Sequence, residues 1–212
     1  PVGKEELEWA EQTLNNFKTS PTLALPHGER EQTDALHEPP LIAIHPHASK
    51  AERNWLPEHY AEAITQAVSR WQCGIVLTGG NSPAEQELCE RLAQHAQGHT
   101  LNLCGKTSPK QLAALLSLAD VLIAPDTGAV HIARAMDTPV IGLYAVASSK
   151  LTGPYQRMEY CVDRYPQAAQ EFLGKDSEQL PWNTRVHHPD AMALIAVEDV
   201  MQQLEKVLGQ KA

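Results

Sequence analysis

From Leu41 to Ala145 the chain alternates short apolar runs with longer stretches of helical periodicity, and this alternation constrains the fold most. The apolar runs are LIAIH (41–45), GIVLTGG (74–80), TLNLCG (100–105), DVLIAPD (120–126) and PVIGLYA (139–145). Runs this short and this apolar suit strands buried on both faces, the environment of a parallel sheet. Helical stretches separate them at 57–71, at 83–96, from Pro109 through QLAALLSLA, and at 128–136. Ser82-Pro83 and Ser108-Pro109 each supply a capping hydroxyl and a proline for the first helical position. The pattern predicts a Rossmann-like α/β domain, a parallel sheet with helices on both faces.

Outside that region the pattern is less regular. Residues 3–17 (GKEELEWAEQTLNNF) predict a helix with Leu7, Trp9, Leu14 and Phe17 as packing residues. PTLALPHGEREQTDALHEPP (21–40) is rich in proline and charge and reads as a linker or an extended crossing segment. The expected division is therefore 1–40, a helix and linker, and 41–212, the α/β domain. The stretch after Tyr160 is irregular until AVEDVMQQLEKVL (196–208), an amphipathic closing helix.

Composition removes several classes of partner. With 17 basic and 26 acidic residues the formal charge is −9, and no dense Lys/Arg block exists. That argues against nucleic acid. No apolar run approaches the roughly 18–20 residues of a membrane span, and no signal-peptide pattern is present. Four scattered cysteines without a CxxC pair read as reduced and mostly buried, in a cytoplasmic protein. The sequence opens on Pro1 and not on Met, which reads as the edge of a processed or truncated chain.

In open α/β sheets ligands bind beyond the carboxyl ends of the strands. The loops after Ile44, Leu77, Leu103, Ala124 and Tyr144 are thus the candidate site. In APDTGAVHIARAM (124–136) a strand ends at Asp126 and a helix starts at once. Free amides there suit a phosphate, with Gly128 allowing close approach and Thr127 and His131 adding donors. The alternative is that Asp126 or Thr127 caps the helix and His131 packs below it. In HPHASKAERNWLPEHY (45–60), Ser49 and Arg53 could meet a second side of a diphosphate, or the loop is simply solvated. Trp55 with Leu56-Pro57 looks like the anchor of the next helix. His45 and His47 lack a third ligand at sensible spacing, so no metal site is expected. Glu85 could bond ribose hydroxyls or only favour its helix dipole. Lys106 and Thr107 could present backbone groups to a base edge.

Together, HPHAS…RNWLPEHY, VLTGG…E, NLCGKTSPKQLAALLSLADVLIAPDTGAVHIARAMDTPVIGLY and TGPY resemble the ADP-heptose:lipopolysaccharide heptosyltransferases. These are family 9 glycosyltransferases of GT-B fold, and the resemblance covers roughly residues 41–208. It implies a nucleotide-sugar-binding domain, the C-terminal donor-binding half of a two-domain enzyme that moves heptose from ADP-heptose to the lipopolysaccharide inner core. By the resemblance, Ser49 and Arg53 face the diphosphate, Glu85 the ribose and Thr107 the adenine. Thr127 and Gly128 offer amides to the diphosphate, Asp126 lies near the heptose hydroxyls and His131 near the phosphates. Arg53, Asp126 and His131 are the implied electrostatic and positioning residues. No cofactor or metal is implied.

The implied partners are an ADP-sugar donor, a lipopolysaccharide core acceptor at the inner membrane face, and an N-terminal acceptor domain of the same protein that carries the general base. The implied location is cytoplasmic and peripheral to the membrane. Nothing before Leu41 resembles that N-terminal half, so the chain alone is expected to bind donor without turning it over.

The sequence departs from the family pattern at four places. Arg53 stands where many members have Lys and His47 where many have Gly, AVASSKLTGPY replaces a Gly-Pro-Thr-like turn, and the longer 161–190 segment has no assigned role. The competing readings are a non-catalytic nucleotide-sugar-binding module and a family member using another nucleotide sugar. A Ser/His/Asp hydrolase is disfavoured by the lack of a G-x-S-x-G elbow.

Overall fold

The computed structural model describes residues 2–19, 39–96 and 98–209. Six strands form one sheet: β1 (Leu41–Ile44), β2 (Gly74–Leu77), β3 (Thr100–Asn102), β4 (Val121–Pro125), β5 (Val140–Tyr144) and β6 (Val162–Asp163). Their order is β3-β2-β1-β4-β5-β6 and every pairing is parallel. This is the Rossmann order, with its switch point between β1 and β4. Residues of β1, β2, β4 and β5 are buried throughout, as their unbroken apolar character predicts.

Helices α1 (Lys4–Lys18), α2 (Pro57–Trp71), α3 (Pro83–Ala93), α4 (Pro109–Leu118), α5 (Gly128–Ala135), α6 (Ser149–Thr152), α7 (Tyr165–Leu173) and α8 (Val197–Gly209) cover the sheet. Two apolar clusters fill the space between layers. One joins α2, α3, α7 and α8 to one face of the sheet, and the other joins α1, α4 and α5 to the opposite face. The predicted closing helix buries Val197, Val200, Met201, Leu204, Val207 and Leu208. Across the end of β6, Arg164 Nε donates to Asp199 Oδ2 at 3.1 Å, which ties α8 to the sheet edge.

The N-terminal helix forms as expected and packs along α4, burying Ala10, Leu14 and Phe17 while Trp9 is partly covered. Leu7 is only half-buried. The sequence assigned no packing role to Ala10. Its burial is a tertiary property that a short side chain in a polar stretch of helix does not announce. The segment read as a linker falls almost entirely outside the described residues.

Two elements lie where the sequence reads as irregular. Strand β6 has two residues, too short for an alternation signal, and α7 follows at once. Gly174 ends α7 in the left-handed region with φ 65°. Cys73, Cys89 and Cys104 are buried free thiols and Cys161 is a half-buried one.

Candidate functional site

At the switch point the chain leaves β1 toward one half of the sheet and β4 toward the other, so the two following loops border a crevice. The loop after β1 is held at both ends. The His45 amide donates to Ile123 O at 3.0 Å, continuing the sheet. The Ala48 amide donates to Asn54 Oδ1 at 2.7 Å, which closes the turn around Ser49. Trp55 is 1% exposed, meets Tyr60 edge-on at 4.8 Å, and donates from Nε1 to Ile195 O at 2.9 Å. The loop is therefore pinned to the run that leads into α8.

Across the crevice, α5 begins differently from its neighbours. Ser82 and Ser108 close full capping boxes with Glu85 and Gln111, so α3 and α4 have their third amide satisfied by a side chain, and Pro83 and Pro109 carry no amide hydrogen at the first position. Thr127 makes no side-chain cap bond to α5. The Asp126 carboxylate does not cap it either, since it faces Arg53 Nη1 at 3.1 Å. The Val130 amide donates to Thr127 O at 3.2 Å, and the amides of Gly128 and Ala129 are left for a ligand. A Cβ at Gly128 would meet no heavy atom within 4 Å, so the missing side chain leaves open space in the crevice.

The Arg53–Asp126 pair is only partly satisfied. Its contact falls outside hydrogen-bond geometry, and both Arg53 Nε and Asp126 Oδ2 are buried without a hydrogen-bond partner. Buried polar atoms of this kind carry a desolvation cost until a ligand meets them.

The crevice widens into a cleft of about 560 Å³. Its wall includes Ser49, Glu85, Thr107, Thr127 and Gly128, five of the residues singled out in the sequence. Arg53 and Asp126 engage each other beside it, and His131 is exposed on α5 away from the wall. The rest of the wall includes His45 and His47 from the first loop, His47 being the departure from the family Gly, and an apolar patch of Pro109, Leu112, Ala129 and Ile132. Leu112 and Ile132 lie near the starts of helices that open at the crevice. Their signal was helix position after a strand-end loop, not residue type.

Glu85 caps α3 and faces the cleft at the same time. It accepts from the Gly80 amide at 3.1 Å, the Ser82 amide at 3.3 Å and Ser82 Oγ at 2.6 Å. Desolvation pushes its pKa up, but the bonds from Ser82 and Gly80 and the nearby His47 outweigh this and hold the carboxyl below its ordinary value. His45 Nδ1 lies 3.0 Å from Thr78 Oγ1, and burial lowers its pKa to about 4 against the opposing pull of Glu85.

The turn beneath Glu85 is tight. Cys104 Sγ donates to Gly80 O at 3.4 Å, and the Gly105 amide donates to Gly79 O at 3.1 Å, which carries the 104–107 loop against the turn. Gly105 takes φ +72°, the left-handed conformation this reversal needs.

Residues 6–182 match the family model described as glycosyltransferase family 9 (heptosyltransferase). The chain belongs to glycosyltransferase family 9. Among its family 9 relatives, the lipopolysaccharide core heptosyltransferase OpsX of Haemophilus influenzae is 37% identical over 166 residues, covering 78% of this chain and 48% of the relative. Lipopolysaccharide heptosyltransferase 2 of Salmonella typhimurium is 29% identical over 119 residues, 55% of this chain and 34% of the relative.

The fold is that of solved members. The family 9 glycosyltransferase of Veillonella parvula superposes with TM-score 0.72 at 18% identity, covering 99% of this chain and 53% of that one. E. coli ADP-heptose lps heptosyltransferase II gives 0.67 at 20%, covering 100% and 53%. E. coli heptosyltransferase WaaC, solved with ADP, gives 0.61 at 21%, covering 93% and 48%. This family 9 chain spans about half the length of these proteins. Among the described residues no helix is long and apolar enough to cross a membrane.

Proposed function

We propose that this chain is the donor-binding half of a heptosyltransferase that takes ADP-heptose as donor and the lipopolysaccharide inner core as acceptor. The observation that carries the proposal is the uncapped start of α5, opening at the switch point onto a cleft with Ser49 opposite. Amides from Thr127, Gly128 and Ala129 would hold the diphosphate. Leu112 and Ile132 offer an apolar bed for the adenine beside the Thr107 backbone, and Glu85 would take a ribose hydroxyl. Arg53 Nε and Asp126 Oδ2, buried without hydrogen-bond partners, would meet the diphosphate and a heptose hydroxyl respectively.

In the transfer, the acceptor hydroxyl oxygen bonds to the anomeric carbon as the bond from that carbon to the diphosphate oxygen breaks. Negative charge then gathers on the departing ADP. Fixed amides and Arg53 oppose it without reorganising, which is how preorganised sites lower such barriers. His131, exposed on the same helix, would reach the phosphates only by a rotamer change. The acceptor's proton passes to a general base supplied by an N-terminal acceptor domain of the same protein. The work would take place in the cytoplasm, at the inner membrane face where the acceptor lies.

Isothermal titration of the 212-residue chain with ADP and ADP-heptose tests the proposal. Both are expected to bind, with no heptose transferred to acceptor. Failure of both to bind at millimolar concentration would defeat it. A preference for another nucleoside diphosphate would favour a family member with a different donor.

A further inference from the structure

We infer that His47 is a contact for the donor's diphosphate, oriented by Glu85. The inference rests on the donor-binding proposal above and names a residue that proposal leaves unused. Among the described residues the cleft wall contains neither lysine nor arginine. Its ionisable side chains are His45, His47 and Glu85, and the whole chain has formal charge −9. The proposal above gives a diphosphate the α5 amides and, from beside the wall, Arg53; a side-chain donor within the wall itself would add to that hold.

His45 does not supply that donor. Its Nδ1 is taken by Thr78 Oγ1 at 3.0 Å, and burial keeps the ring uncharged near neutrality. His47 is placed differently. It is half-buried in the wall, its Nδ1 lies 3.6 Å from Glu85 Oε1, and the Glu85 carboxylate is itself fixed by Gly80 and Ser82. The Glu85 carboxylate beside Nδ1 favours this ring orientation by charge, and a ring that carries a proton on both nitrogens there keeps Nε2–H, which has no protein partner among the described residues, to donate to a ligand oxygen. Ser49, two residues further along the same loop, lines the same wall and would share that oxygen's neighbourhood.

The test compares ADP with adenosine, which shares the nucleoside and lacks the phosphates, on the wild-type chain, His47→Ala and His47→Gln. Calorimetry reads ADP, and ligand-observed NMR reads the weaker adenosine. His47→Ala is expected to weaken ADP about tenfold, the scale of one hydrogen bond to a charged group, while leaving adenosine within about twofold. His47→Gln, which keeps a donor near the Nε2 position, is expected to recover part of the ADP loss. Equal weakening of both ligands would make His47 a structural residue and overturn the inference, as would unchanged ADP affinity in His47→Ala. A wild-type chain that binds neither ligand would overturn the donor-binding proposal and this inference with it. Wild-type ADP binding that His47→Ala leaves intact would overturn this inference alone.

Discussion

At the scale of single residues, two glycines of the cleft make opposite demands. Gly128 opens α5 at a negative φ with empty space where a Cβ would stand. Gly128→Ala is therefore expected to stabilise the apo chain by about 0.4–1 kcal/mol, through a less flexible unfolded chain, and to weaken ADP about tenfold as the methyl enters the diphosphate's place. Gly79 is enclosed: a Cβ there would stand 2.7 Å from Cys104 Sγ. Gly79→Ala should cost about 1–3 kcal/mol by overpacking, seen as a lower melting temperature before any ligand is added. The same chemical change then raises stability at one position and lowers it at the other. If both variants melted below wild type, the open space at Gly128 would not exist.

His45 makes a second prediction at this scale. Its folded pKa of about 4 lies below the ordinary 6.5, so the unfolded chain binds the proton first as pH falls. The stability this represents is complete above pH 6.5 and drains away as pH drops toward about 4, by up to about 3 kcal/mol. Thr78 Oγ1 donates to Ile44 O, so His45→Asn, whose amide can still donate toward Thr78, removes the titration. Urea unfolding between pH 4.5 and 7.5 should show a shallower loss of stability in the variant, and parallel curves would reject the assignment.

At the scale of elements, the loop after β1 depends on one indole. Trp55→Phe retains most of the buried volume but leaves Ile195 O without its donor. That should cost about 1–3 kcal/mol and loosen the loop that places Ser49 and His47. Measured together, a stability loss without any change in ADP affinity would show that the α8 tether is irrelevant to the cleft. The strands were legible because β1, β2, β4 and β5 are buried on both faces, and that leaves a continuous apolar run in the sequence. The starts of α3 and α4 were legible from Ser-Pro because capping is local chemistry. The pairing of Arg53 with Asp126 was not legible, since it joins loops from two strands that only the sheet order brings together. His47 was read as a metal ligand lacking companions and as a departure from the family Gly, with no partner assigned to it. Its place opposite Glu85 depends on how the 45–56 loop turns, and no periodicity encodes that.

At the scale of the molecule, the cleft lies where the two halves of the sheet diverge. A ligand there would bridge the β1 and β2 loops of one half and the β4 loop of the other. Such a ligand binds the folded chain and finds no site in the unfolded one, so it must stabilise the whole sheet. At a hundredfold excess of ADP over its Kd the gain is about 2.7 kcal/mol, and at roughly 2–4 °C per kcal/mol for a chain of this size the midpoint should rise by about 5–10 °C. The net charge of −9 opposes an anion at long range, but the amides of α5 act at contact distance, where salt screens little. The rise should therefore survive at physiological ionic strength. Gly128→Ala ties this scale to the first: its apo midpoint should exceed that of wild type while its ADP-induced rise shrinks. A thermal melt that millimolar ADP leaves unmoved in the wild-type chain would remove the nucleotide from this cleft, whatever the family of the fold.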